Sequence, residues 1–318
     1  MTKLNHWLMP LLLSASGLMA QQSGLRGPVS GLVYDEPARA VRAMLGVPGS
    51  SYLGAPVLAD LDFAAVAPNG RLAMALKGGR LTLVRFGAET ATETLAENYP
   101  TPSLASWAAD SSAVALYGTE AGIAVWRKLG IAPEPARLGN PAPLGLVSAL
   151  TLEDGARSVI LIARGEGNSA VYRAAEGAEP ALLARGLDIT AIAASADAVY
   201  LSDRGAHTVS AVRGAAEVSQ IANEALGVKD PVGLALIGSD LLVASGENHE
   251  LVRLNPATGE LLGRIALDFA PDRLHRLTQG ADGGSPLYSL KSRGQANDPL
   301  EVLDASRGAV FFVPASVE

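Results

Sequence analysis

Two histidines, His207 and His249, stand 42 residues apart, each close behind acidic or amide side chains: Asp203 before the first, Glu247 and Asn248 before the second. Neutral imidazoles grouped with carboxylate and amide oxygens form a donor set for a divalent cation, zinc favouring the nitrogens and calcium the oxygens. Asp203, His207, Glu247, Asn248 and His249 are therefore the candidate ligand-binding residues. Calcium or zinc is the one cofactor they would suit; apart from that no cofactor is expected. The simpler reading stands beside this one: short polar side chains in such positions bond neighbouring backbone amides and close turns. A third histidine, His275, lies next to Arg276 and is a further candidate only if both face a central channel.

Other chemistries find little in the chain. It has no cysteine, and no G-x-S-x-G elbow to present a nucleophilic serine. Gly78-Gly79 and Gly283-Gly284 lack the Lys-Ser/Thr that completes a phosphate loop. No catalytic residue is assigned. Five arginines, Arg85, Arg127, Arg173, Arg213 and Arg253, recur at matching places. Their repetition favours a structural role over a ring for an acidic partner.

The elements that must position these residues are short strands. Residues 231–263 read as Val232 to Ile237, a Gly-Ser-Asp turn, Leu241 to Ala244, a polar turn, Glu250 to Leu254, the turn Asn255-Pro-Ala-Thr-Gly259, and a last strand from Leu261. This is a four-stranded antiparallel unit. The turn after its first strand recurs at Asn69, Asp110, Asp154, Asp197, Asp240 and Asp282, spaced 41, 44, 43, 43 and 42 residues apart. That period predicts an all-β propeller of four-stranded blades. Small-residue runs such as Ala64 to Ala67, Ile189 to Ala194 and Val232 to Ile237 suit the crowded strands nearest the axis. Ser158 to Ala163, SVILIA, suits a strand covered on both faces.

Before the first full unit, Leu32 to Asp35 and Ala40 to Leu45 read as the third and fourth strands of a blade without its inner pair. Six closed blades, with this pair packed at the edge, are the preferred count, and seven is the alternative. The predicted organisation is a signal peptide at 1–20, an N-terminal segment at 21–58 with the outer pair, and a single propeller domain at 59–318.

The leader assignment rests on Lys3, the apolar run Trp7 to Leu13 and small residues up to Ala20. It predicts cleavage near Ala20 and export to the periplasm or outside the cell. No stretch approaches the roughly 20 apolar residues of a spanning helix, so membrane insertion is not expected. Loss of Lys3 with the leader takes the formal net charge from −7 to −8. An acidic chain without a basic run argues against nucleic acid as a partner.

Residues 189–212, ITAIAASADAVYLSDRGAHTVSAV, and ENHELVRLNPATGELLG at 247–263 resemble NHL-type and YVTN-type repeats. APNGRLA at 67–73 and SWAADSSAVAL at 106–116 are similar to TolB or WD40 relatives. The resemblance implies a propeller and leaves function open, because that fold hosts binding, hydrolysis and redox chemistry alike. It also implies that the turns between second and third strands share a rim with the connections between blades, which places Asp203 to His207 and Glu247 to His249 there. The expected function is a non-enzymatic scaffold binding a protein or a small molecule on that rim. The first alternative is a metal-dependent hydrolase similar to gluconolactonase-type propellers, with Glu120, Glu166 and Glu247 as approximate rim carboxylates. The second is a propeller with no specific rim ligand.

Overall fold

The computed structural model describes residues 28–138, 144–214, 217–278 and 286–315. The expected leader, the turn at Asp282 with Gly283 and Gly284, and Ser285 lie outside them. The described strands form seven antiparallel sheets. The first holds β1 (Val29–Asp35), β2 (Ala40–Val47) and β3 (Ser50–Leu58). The second holds β4 (Phe63–Val66), β5 (Leu72–Lys77), β6 (Arg80–Arg85) and β7 (Ala91–Ala96), and the third β8 (Leu104–Trp107), β9 (Val114–Gly118), β10 (Gly122–Arg127) and β11 (Glu134–Arg137). The fourth contains β12 (Leu146–Leu152), β13 (Ser158–Arg164), β14 (Ser169–Ala175) and β15 (Ala181–Gly186). β16 (Ile189–Ala194), β17 (Ala198–Asp203), β18 (Thr208–Arg213) and β19 (Glu217–Ala222) make the fifth. β20 (Pro231–Ile237), β21 (Asp240–Ser245), β22 (Glu250–Leu254) and β23 (Leu261–Ala266) make the sixth, and β24 (His275–Arg276), β25 (Leu287–Ser289), β26 (Leu300–Asp304) and β27 (Ala309–Val313) the seventh. The chain is a β-propeller of seven blades.

The count corrects the preferred six. Leu32 to Asp35 and Ala40 to Leu45 are not an edge pair but part of a blade in the ring, and β3 extends that blade. Gly54 and Pro56 within β3 obscure its strand pattern in the sequence. The Tyr34 ring lies 6.5 Å from that of Phe63, and Arg39, in the β1–β2 turn, donates from Nε to Leu61 O at 3.0 Å. The end of β1 therefore meets the start of β4, so the two run antiparallel. That is the direction of a second strand. β1, β2 and β3 thus occupy the second, third and fourth places of their blade, and among the described residues only its innermost strand is missing.

The inner edge of β1 is partly satisfied by one side chain. Thr278 Oγ1 accepts from Leu32 N at 2.6 Å and donates to Leu32 O at 3.1 Å. A Cβ on Gly31 would collide with this hydroxyl and with the Met44 side chain, so a glycine permits the approach.

Blades pack through their second strands. In β13, Val159, Leu161 and Ala163 enter one apolar cluster with Ala115, Ile123 and Val125 of the blade before. Ile160 and Ile162 enter another with Ile189, Val199 and Leu201 of the blade after. The two-residue period of a strand makes one apolar run serve two interfaces. The ring closes between the first and last blades through Val33, Met44, Leu53, Leu287, Val302 and Phe311. Pro314 O accepts from Leu53 N at 2.9 Å across that seam. The Asp35 side chain, fully enclosed, lies 3.0 Å from Arg42 Nη1 and 2.6 Å from Arg293 Nη1, joining the two blades.

The arginine stripe is structural, as its repetition suggests. Arg85 donates to Leu129 O, Arg127 to Ala156 O and Arg213 to Pro256 O, each in the following blade. Arg173 and Arg253 instead pair with Glu153 and Asp240 of their own blades.

Candidate ligand-binding channel

The sequence-predicted candidates all fall on the rim that carries the interblade connections. Asp203, at the end of β17, accepts the amides of Leu187 at 2.8 Å and Asp188 at 3.0 Å, tying its hairpin to the connection leading into β16. Elsewhere the staple is reversed, the connection supplying the carboxylate: Asp62 accepts Gly78 N at 2.7 Å and Asp272 accepts Ser292 N at 2.9 Å. His207 and His249 occupy equivalent left-handed positions, with φ of 51° and 52°. His207 Nδ1 accepts Asp230 N at 3.1 Å, and its Nε2 lies 3.8 Å from Glu224 Oε1. Glu247 pairs with Lys229 at 2.5 Å. That hydrogen bond holds the Glu247 carboxyl below its ordinary range, with the nearby His207 adding a smaller effect in the same direction. Asn248 donates to Gly227 O at 2.9 Å.

Thus His207 and Glu247 share one patch between the fifth and sixth blades, while Asp203 and Asn248 are spent on backbone groups. Among the described residues no three His, Asp or Glu side chains are grouped to hold one metal ion.

A cavity of about 920 Å³ occupies the axis and is lined by all seven blades. None of the five predicted residues reaches it. Of the hairpins on their rim, the β1–β2 turn reaches it through Glu36 and Pro37, and the one between β25 and β26 through Arg293. Ala64, Ala65, Ala105, Ala193 and Leu234 supply a small apolar wall, as the small-residue runs predict. With no strand inside β1 among the described residues, its Leu32, Val33 and Tyr34 face the space directly. Burial pushes the Tyr34 phenol up, and the neighbouring Glu36 pushes it further.

Polar side chains line the wall from several blades, and one stretch, in and before β24, contributes Arg273, His275 and Arg276. His275 is open to the channel and enclosed by protein around it. That enclosure, with Arg273 beside it, pushes its pKa down to about 4. Water in the channel moderates the shift without reversing its direction. Arg273 is lowered by burial, against the opposing pull of Asp272, Glu36 and Glu301, but a guanidinium stays charged at neutral pH. The Nε atoms of Arg273 and Arg276 are buried without a hydrogen-bond partner. Of the other charges on the wall, Arg293 is committed to Asp35, Glu153 to Arg173 through three hydrogen bonds, and Asp110 to Ser112 N at 2.9 Å, while Glu36 is exposed. The pairing of His275 with Arg276 was visible in the sequence; Arg273 carried no signal there, because it precedes a two-residue strand with no readable period.

No family model matches the chain, and no curated protein matches its sequence. Among solved structures, selenomethionine-substituted virginiamycin B lyase from Staphylococcus aureus is similar with a TM-score of 0.53 and 12% identity, over 80% of this chain and 84% of that one. A nidogen–laminin complex gives a TM-score of 0.44 and 12% identity, over 77% and 92%. The first likeness supports the propeller fold and no more.

Proposed function

We propose that this chain is an exported, non-enzymatic propeller that holds a small ligand in its axial cavity. The observation that carries this reading is the cavity itself: a space of about 920 Å³ on the axis, lined by small apolar side chains together with polar ones, among them the unpaired Nε atoms of Arg273 and Arg276. That volume falls in the range of a small-molecule site. Export rests on the leader-like residues 1–20. A hydrolase would need carboxylates converging on one spot to activate water. The wall's Glu153 and Asp110 are instead engaged with Arg173 and Ser112.

The test uses a neutral fluorescent probe, N-phenyl-1-naphthylamine, with the mature protein. Saturable one-to-one enhancement is expected, abolished in Ala65→Trp, whose indole would fill the chamber. Ala105→Trp serves as a second filling variant if the first does not fold. Enhancement that is absent, or unchanged in a folded filling variant, would overturn the reading.

A further inference from the structure

We propose that the axial cavity selects an amphipathic oxyanion, a molecule with an apolar body and a carboxylate or phosphate head, and that Arg273 and Arg276 bind the head. This rests on the cavity being the ligand site. Both arginines line the chamber, and among the described residues neither guanidinium has a hydrogen-bond or ion-pair partner. The one other arginine among the lining residues, Arg293, is paired with Asp35. A partly buried guanidinium with no hydrogen-bonded partner is costly, so two of them on one wall mark a place where an anion belongs. A guanidinium fork fits the paired oxygens of a carboxylate or phosphate.

The carboxylates near Arg273 do not pair with its guanidinium. Glu36 and Glu301 are within electrostatic reach of Arg273 without contacting it, and Asp272 is turned to the amide of Ser292. His275, adjacent in sequence to Arg276, is held toward its neutral form by the same enclosure. It can donate one ring N–H to the head without adding charge. The body of the ligand has the opposite wall, where Ala64, Ala65, Ala105 and Ala193 leave room.

The experiment is displacement of N-phenyl-1-naphthylamine by octanoate, octyl phosphate and octanol. Octanoate or octyl phosphate should displace the probe at about a tenfold or more lower concentration than octanol, the range expected for hydrogen bonds to a charged group. Arg276→Gln and Arg273→Gln should each shrink that advantage while leaving octanol and the probe unaffected. If all three compete equally, or if both glutamine variants keep the preference, the oxyanion assignment fails while the cavity remains a ligand site. If the probe does not bind the parent protein at all, the cavity reading fails with it. A preference for octyl phosphate over octanoate, or the reverse, identifies which head group the arginines are spaced for.

Discussion

At the scale of single residues, the sequence exposed candidates on the rim and half-exposed those that line the channel. His207, Glu247 and His249 stand out because they are rare residue types at repeating positions, but repetition also marks hairpin architecture, and Asp203 is bonded to connecting amides. His275 was legible only as a conditional candidate, since its value depends on facing an axis that sequence cannot locate. Its environment carries a pH signature. A histidine whose folded pKa lies below its unfolded value binds its proton more readily in the unfolded chain. Folding stability should therefore fall as pH drops from about 6.5 toward 4, the full cost being reached below the folded value. Glu36, Arg273, Arg276 and Arg293, the last paired with Asp35, line the channel with His275. The difference in urea midpoint between the parent and His275→Gln should narrow or change sign as pH falls through it; parallel curves would refute the assignment. Asp35 is the other residue with a large predicted effect. Asp35→Asn strips the counter-charge from Arg42 and Arg293, whose side chains are nearly or fully enclosed. A loss of about 3–5 kcal/mol is expected from urea denaturation.

At the scale of elements, the strand units were the most legible part of the chain. Residues 231–263 read from sequence almost as the structure has them, because each boundary carries a turn former with a mechanical role. Asn255 Oδ1 accepts Ala257 N at 2.9 Å, and Gly259 takes a φ of 75°. Anchors were less uniform than their spacing implied. Asn69 and Asp110 make the expected local bonds to Arg71 N and Ser112 N. Asp240 instead pairs with Arg253, and at Asp197 the turn is held by Ser195. The first blade was misread because its Gly- and Pro-containing third segment hides a strand, which made two central strands look like the outer pair. Its unusual inner edge gives a prediction. Thr278→Val removes the hydroxyl that bonds both polar groups of Leu32 and should cost about 1–3 kcal/mol, since the Leu32 amide is left buried and unpaired. A midpoint unchanged within error would show that the edge is satisfied in another way. In β13, Leu161→Ala should cost about 2–5 kcal/mol by leaving a hole between the third and fourth blades.

At the scale of the whole molecule, the period announced a propeller, but the number of blades depends on how the ring closes, and closure is a contact between the two ends of the sequence. Among the described residues it is made by side chains and a few long-range bonds rather than by a shared sheet. Such a seam should open before the interior blades. Amides of β1 to β3 and β25 to β27 are expected to exchange with deuterium faster than those of β13 and β17, and uniform protection around the ring would contradict this. Among the described residues no strand lies inside β1, which faces an axial chamber whose unpaired cations stand in and just before β24. The most direct test is anomalous diffraction from crystals of the mature protein soaked in sodium bromide. The account predicts a bromide peak inside the axial channel at the guanidinium groups of Arg273 and Arg276. A channel filled by protein chain, or bromide found only on the outer surface, would contradict it.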